Sequence, residues 1–268
     1  MSLSRRPFHS RKIIYLPQQQ KHKRIRKTER IHLKATGQKV RKHMKKGLTE
    51  AVFILDRSGS MSGLEADTIG GYNSMLAKQK KEEGDVIFST VLFDDRTEVL
   101  HDRLSVHKVE ALTDNEYYVR GCTAFLDAVG GAIEHIARVQ KEMPEEERPE
   151  KTLFIITTDG MENASRKYDY AKVKKLVEKK KKKHGWEFIF MGANIDAVEV
   201  AGRFGVSKNR AVRYECDREG TKINFDVMSK MVSCARSSAS VEAMEEAFDD
   251  TEMMEPITTH YRKSNGKK

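Results

Sequence analysis

Long apolar runs are missing from this sequence: nowhere do about 18 apolar residues follow one another, so no helix of bilayer length is available. Cysteine is scarce and odd in number. Cys122, Cys216 and Cys234 suit neither a disulfide framework nor a zinc knuckle, and read as free thiols in a reducing compartment. The first residues are basic but lack the continuous apolar segment and small-residue cleavage site of a secretory signal, which points to a cytoplasmic protein. There is no Gly-rich phosphate loop ending in Lys-Ser or Lys-Thr, and no nucleophile elbow with a Ser-His-Asp order. The histidines, among them His101, His107, His135 and His184, are scattered along the chain and read as ordinary surface or core residues.

Acidic residues are nearly absent from one segment. Residues 1–43 hold 14 Lys or Arg against Glu29 alone, a net of +13, so residues 44–268 carry −3 of the whole-chain +10. With so little to bury, residues 1–43 are expected to be a disordered leader. Three explanations of it stand side by side: an arm that neutralises phosphates, a docking tail, or a stretch upstream of an ordinary start at Met44. Over the whole chain, 38% hydrophobic and 34% charged residues fit a polar but globular protein, with the domain expected over 44–250 and a flexible tail at 251–268.

From Leu48 the pattern is strand, helix, strand. "AVFIL" at 51–55 is a short, continuous apolar run, as a strand covered on both faces requires. Glu65–Glu83 reads as a helix with Ile69, Tyr72, Met75 and Leu76 on one stripe. The segments 85–94 and 97–104 are two strands joined by so tight a turn that they must pair antiparallel. Further helices are expected at 125–143, 168–184, 196–205 and within 224–249, and strands at 152–158, 186–192 and 210–216. The lysine run ending the 168–184 helix reads as a solvated C-terminus, where positive charge meets the negative end of the helix dipole. This alternation predicts an α/β fold: three layers, doubly wound, with a mostly parallel sheet and one antiparallel edge strand. Such sheets bind ligands at the carboxyl ends of their strands.

Three loops bring unusual chemistry to that rim. "DRSGS" follows the first strand, "GCT" precedes a helix, and "TTDG" closes the 152–158 strand. They offer the carboxylates of Asp56 and Asp159 and the hydroxyls of Ser58, Ser60 and Thr123. Gly59 supplies the tightness that lets Asp56, Ser58 and Ser60 point at one centre. An all-oxygen set without sulfur or imidazole suits a hard divalent cation, Mg²⁺ or Mn²⁺, or less tightly Ca²⁺. Hydroxyls are weak ligands, so an exchangeable position is left for a carboxylate from another molecule. Arg57 reads as a solvent-facing rim residue or a contact to an acidic partner. Glu162 and Asn163 are placed to tether the rim, and Tyr117 and Tyr118 form an aromatic edge or pack inward.

These residues resemble the metal-ion-dependent adhesion site (MIDAS) of von Willebrand factor type A domains: Asp-x-Ser-x-Ser, a distant Thr and a later Asp. Here Asp56, Ser58, Ser60, Thr123 and Asp159 fill all five positions, in a resemblance covering about residues 48–218. It implies the Rossmann-like von Willebrand factor A fold, with Mg²⁺ held directly by the serines and threonine and often through water by the aspartates. A Glu or Asp of a partner protein completes the coordination. Within the family the chain looks like stand-alone bacterial members of the tellurite-resistance-associated type. The function implied is a metal-dependent protein interaction module without catalysis. A metal-dependent phosphoester hydrolase is the alternative, though Ser58 stands where an aspartate-nucleophile phosphatase needs its second acid. Tethering of nucleic acid through the basic leader is a second alternative.

Overall fold

The computed structural model describes residues 44–266, and the expectation for residues 1–43 lies outside them. Six strands form one sheet in the order β3-β2-β1-β4-β5-β6. They are β1 (Lys45–Asp56), β2 (Val86–Phe93), β3 (Thr97–Ser105), β4 (Pro149–Thr158), β5 (Glu187–Gly192) and β6 (Ala211–Arg213). Every pairing is parallel except β2 with β3, the hairpin at the edge. The doubly wound α/β arrangement expected from the alternation is therefore present.

Among the described residues seven α-helices cover the sheet: α1 (Glu65–Gln79), α2 (Phe125–Glu142), α3 (Tyr170–His184), α4 (Ala197–Arg203), α5 (Arg218–Ser237), α6 (Val241–Asp249) and α7 (Glu255–Asn265). The side-chain alternation of β1 divides them into two layers. Ala51, Phe53 and Leu55 pack with α1, α5, α6 and α7. Val52 and Ile54 face the other way, into a core shared with α2, α3 and α4. Because both faces are buried, β1 needs apolar residues at every position, which is why it reads as an unbroken run.

The expected flexible tail at 251–268 is corrected by α7. Its sequence is mostly polar, but Ile257 is 2% exposed and anchors the helix against the core, and Glu255-Pro256 opens it with proline in the first turn, where no amide donor is lost. A buried arginine fixes the neighbouring layer. Arg236 of α5 donates to the carbonyl of Gln79, the last residue of α1, and to those of Glu82, Glu83 and Gly84 in the turn that follows, where no helix continues to satisfy them.

β1 lies at the centre, with β2 on one side and β4 on the other, so the strand order reverses there. The carboxyl ends of β1 and β4 consequently open a crevice between their following loops. Leu55 is in register with Thr157, which puts Asp56 and Asp159 at the ends of neighbouring strands.

Candidate metal centre

Asp56 is the last residue of β1 and is 1% exposed. Both its oxygens are engaged by the chain. Oδ1 accepts from the Ser58 amide at 2.7 Å, and Oδ2 accepts from the Thr158 hydroxyl at 2.5 Å. Burial pushes this carboxyl up to about 6, against the opposing effect of those hydrogen bonds, with Asp159 adding a smaller push. Asp159, one residue beyond β4 and 2% exposed, is raised as well, again by burial. Its Oδ1 accepts from Ser60 Oγ. Neither carboxylate has a Lys or Arg partner among the described residues. Two buried acids side by side without a cation of the chain's own are costly unless something else compensates them.

The three hydroxyls meet between them. Ser58 Oγ and Ser60 Oγ are 3.1 Å apart, and Thr123 Oγ1 donates to Ser58 Oγ at 3.0 Å. Ser58 and Thr123 are buried, whereas Ser60 is exposed and marks the mouth. Gly160 closes the side next to Asp159: a Cβ there would lie 3.0 Å from both Ser60 Oγ and Thr123 Oγ1, so any side chain would fill the cradle. The structure thus brings together all five residues singled out in the sequence.

The donor set fits a small divalent cation. An octahedral ion with bonds of about 2.0–2.1 Å places adjacent ligands about 2.9 Å apart, close to the spacing of both hydroxyl pairs. Among the described residues no three His, Cys, Asp or Glu side chains gather as a metal cage, so any cation here depends on the hydroxyls for much of its coordination.

Backbone bonds hold the three loops in place. Gly59 N donates to Gly121 O at 3.1 Å, and a Cβ on Gly59 would lie 3.3 Å from that oxygen, a tight contact that would press the two loops apart slightly. Asn163 Oδ1 accepts from the Thr123 amide at 2.9 Å, and Glu162 Oε2 accepts from Leu126 N at 2.8 Å at the start of α2. The tethering role expected of both residues is what the structure shows. Tyr117 is wholly buried, its hydroxyl donating to Asp56 O at 2.5 Å, while Tyr118 remains 41% exposed.

Arg57 corrects the sequence reading. It is neither solvent-facing nor available to a partner: its side chain is fully buried, donating to Asp94 Oδ2 and Glu98 Oε2 at 2.8 Å and to Glu116 O at 3.0 Å. Burial favours the neutral form of Asp94, but the guanidinium groups of Arg120 and Arg57 outweigh it and hold the carboxyl below its usual range. Asp94 therefore ties the Asp56–Ser60 loop, through Arg57, to the loop that carries Thr123, through Arg120.

Two contributors were missed in the sequence. Thr158 fixes Asp56, and the only signal was its place before Asp159 in "TTDG". Cys216, taken as a thiol without a role, donates to Asp159 Oδ2 at 3.5 Å; burial and the Asp159 charge push it up to about 12, so it serves as a neutral donor. Nothing in its sequence spacing pointed to this contact.

No protein-family model matches the sequence, and no curated protein matches it. Among solved structures the chain is similar to proximal thread matrix protein 1 from the mussel byssus with a zinc-occupied MIDAS motif, at 16% identity and a TM-score of 0.46, over 70% of this chain and 46% of that one. It is similar to a von Willebrand factor type A protein from Catenulispora acidiphila, at 14% identity and a TM-score of 0.45, over 69% and 42% of the two chains. A manganese-loaded TRAP protein of Plasmodium vivax is 14% identical with a TM-score of 0.46, over 67% of this chain and 73% of that one. The match thus spans less than half the length of the mussel protein.

Proposed function

We propose that this protein is a divalent-metal-dependent interaction module that captures an acidic side chain of a protein partner, and that it performs no chemistry of its own. The observation that carries the reading is the meeting of Ser58, Ser60 and Thr123 hydroxyls at cis-ligand spacing beside two buried, uncompensated carboxylates. This is the set that the resemblance to von Willebrand factor A domains implies.

In this reading Ser58, Ser60 and Thr123 hold the cation, proposed to be Mg²⁺, with Mn²⁺ or Ca²⁺ as substitutes. Asp56 positions the Ser58 loop, since both its oxygens are already occupied by Ser58 N and Thr158 Oγ1, and supplies negative charge from beneath. Asp159 orients Ser60 and supplies the second charge. When bound, the cation provides an electrophilic position that a Glu or Asp carboxylate from outside completes. Access is from the Ser60 side, the exposed edge of the cluster. The cytoplasm and a bacterial, tellurite-resistance-associated setting belong to the same proposal.

The test is capture of partners on the immobilised full chain with Mg²⁺ or with chelator, repeated with Ser58→Ala/Ser60→Ala. Partners held only by the wild-type chain in Mg²⁺ support the reading. Partners retained equally under all conditions overturn it. Turnover of a phosphoester substrate, lost in Asp56→Ala, would instead establish the hydrolase.

A further inference from the structure

The end of the sheet opposite the metal centre carries a second feature. Because α3 runs antiparallel to the strands, its C-terminus returns to the strands' amino ends, where β1 begins at Lys45 and β4 at Pro149. A concavity of about 880 Å³ opens there, and residues distant in sequence converge on it. Lys141 comes from the end of α2, Arg148 from the turn before β4, and Lys179–Lys183 with His184 from the last turns of α3. Glu145, Glu242 and Glu245 are the acidic residues in its lining, so basic groups outnumber acidic ones by more than two to one.

Several of these lysines remain uncompensated within one concave surface. The side chains of Lys179, Lys182 and Lys183 make no hydrogen bond or ion pair among the described residues. Lys180 Nζ lies 4.8 Å from the centre of the Trp186 ring. Burial, then Lys179 and Lys183, lower the Lys180 ammonium; burial, then Lys180, Lys183, Arg148 and Lys179, lower His184. The second set of causes combines positive charge from two separate elements of the chain, α3 and the turn before β4.

We infer that this basic concavity binds the phosphodiester backbone of a nucleic-acid duplex, independently of base sequence. Three features select that occupant. Lysine ammonium groups that no carboxylate of the described residues pairs with, as at Lys179, Lys182 and Lys183, are what phosphate neutralisation needs. A protein partner would look for an apolar or aromatic anchor, but Trp186 is 2% exposed and the lining offers only Met44, at 39%, as an exposed large apolar residue. The same lack of exposed rings removes the stacking platform by which single strands are held. The site is separate from the metal centre and does not depend on it. One molecule thus presents a polyanion-binding pole and a carboxylate-binding pole.

Fluorescence anisotropy of the full chain with two labelled DNA duplexes of unrelated sequence, over a salt series, tests this. The variant Lys179→Gln/Lys182→Gln/Lys183→Gln is expected to weaken binding equally on both duplexes. It should lower the slope of log affinity against log salt by about three. A control with Lys222→Gln/Lys230→Gln/Lys263→Gln, cations outside the concavity, keeps the wild-type slope. An unchanged slope in the first variant, as binding through residues 1–43 alone would give, overturns the inference. So does an equal loss in the control, a failure of wild type to bind either duplex, or tighter lysine-dependent binding of labelled polyglutamate.

Discussion

Arg57 donates through Nε to Asp94 Oδ2 at 2.8 Å, and neither side chain is reached by solvent. The pair adjoins the candidate metal centre, because Arg57 stands between Asp56 and Ser58 in the chain. Asp94 Oδ2 also accepts from Arg120 Nε at 2.8 Å, and Asp94 O accepts from Ala124 N at 2.8 Å, next to Thr123. Removing the Asp94 carboxylate leaves the buried Arg57 guanidinium without its fully buried counter-charge, with Glu98 and Glu116 O as its remaining partners, and cuts the side-chain link between the two loops. Asp94→Ala is expected to cost about 3–5 kcal/mol in urea unfolding. Arg57→Met, which deletes the buried charge while keeping much of the volume, should cost less than Asp94→Ala while still weakening Mn²⁺ binding, since Arg120 is then the one guanidinium left on Asp94. Equal stability of Asp94→Ala and wild type contradicts this account.

Protonation should compete with cation binding. Asp56 is pushed up to about 6 by burial, so above that pH it carries the charge that the cation needs, and below it the carboxyl takes up a proton. Apparent Mg²⁺ affinity is expected to rise with pH from 5 to 7 and to level off above about 7, as the proton is lost. Asp56→Asn removes both the charge and the pH dependence across this range. Calorimetric titrations at several pH values check it; an affinity independent of pH between 5 and 7 contradicts it.

Two adjacent glycines of α1 predict opposite outcomes. A Cβ on Gly71 would fall 2.3 Å from Phe225 Cδ2 and 2.9 Å from its Cγ, atoms at the base of a ring that α5 holds in the core. A Cβ on Gly70 would meet nothing within 4 Å. Gly71→Ala should therefore lose about 1–3 kcal/mol to overpacking. Gly70→Ala should gain up to about 1 kcal/mol from helix propensity. Chemical denaturation of the two variants gives the signs directly.

His101 offers a pH dependence of stability away from the metal centre. It is 6% exposed, 3.4 Å from the Tyr72 hydroxyl, and burial lowers it below the ordinary imidazole value despite the nearby charges of Glu110 and Glu116. A lowered value means that the unfolded chain binds the proton more readily. The stability from neutral His101 is therefore present above about pH 6.5 and is lost as pH falls below it. Comparing unfolding of wild type and His101→Gln at pH 7.5 and 5.5 should show the smaller loss on acidification in the variant.

The strands and the metal loops were legible because their signals are local. "AVFIL" needs only its own apolar continuity, and the spacing of Asp56, Ser58 and Ser60 is that of a single turn. Thr123 and Asp159 were legible through their positions at later strand and helix ends and through the family pattern, and the fold then brings them to Ser58 and Ser60. Arg57 was misread because its direction is decided by Asp94, 37 residues away, which no local pattern encodes. The polar sequence of α7 concealed a helix that a single buried Ile257 anchors. The lysine run resembled any helix end until Lys141 and Arg148 were seen to approach it from another part of the chain.

Titration of Mn²⁺ into the full chain, followed by loss of its free-ion paramagnetic signal, tests the central claim most directly. The account predicts saturable binding of one ion, displaced by Mg²⁺, that is abolished in Ser58→Ala/Ser60→Ala while both proteins unfold at similar denaturant concentrations. Equal binding by wild type and the double variant, or no binding by the folded wild type, would contradict it.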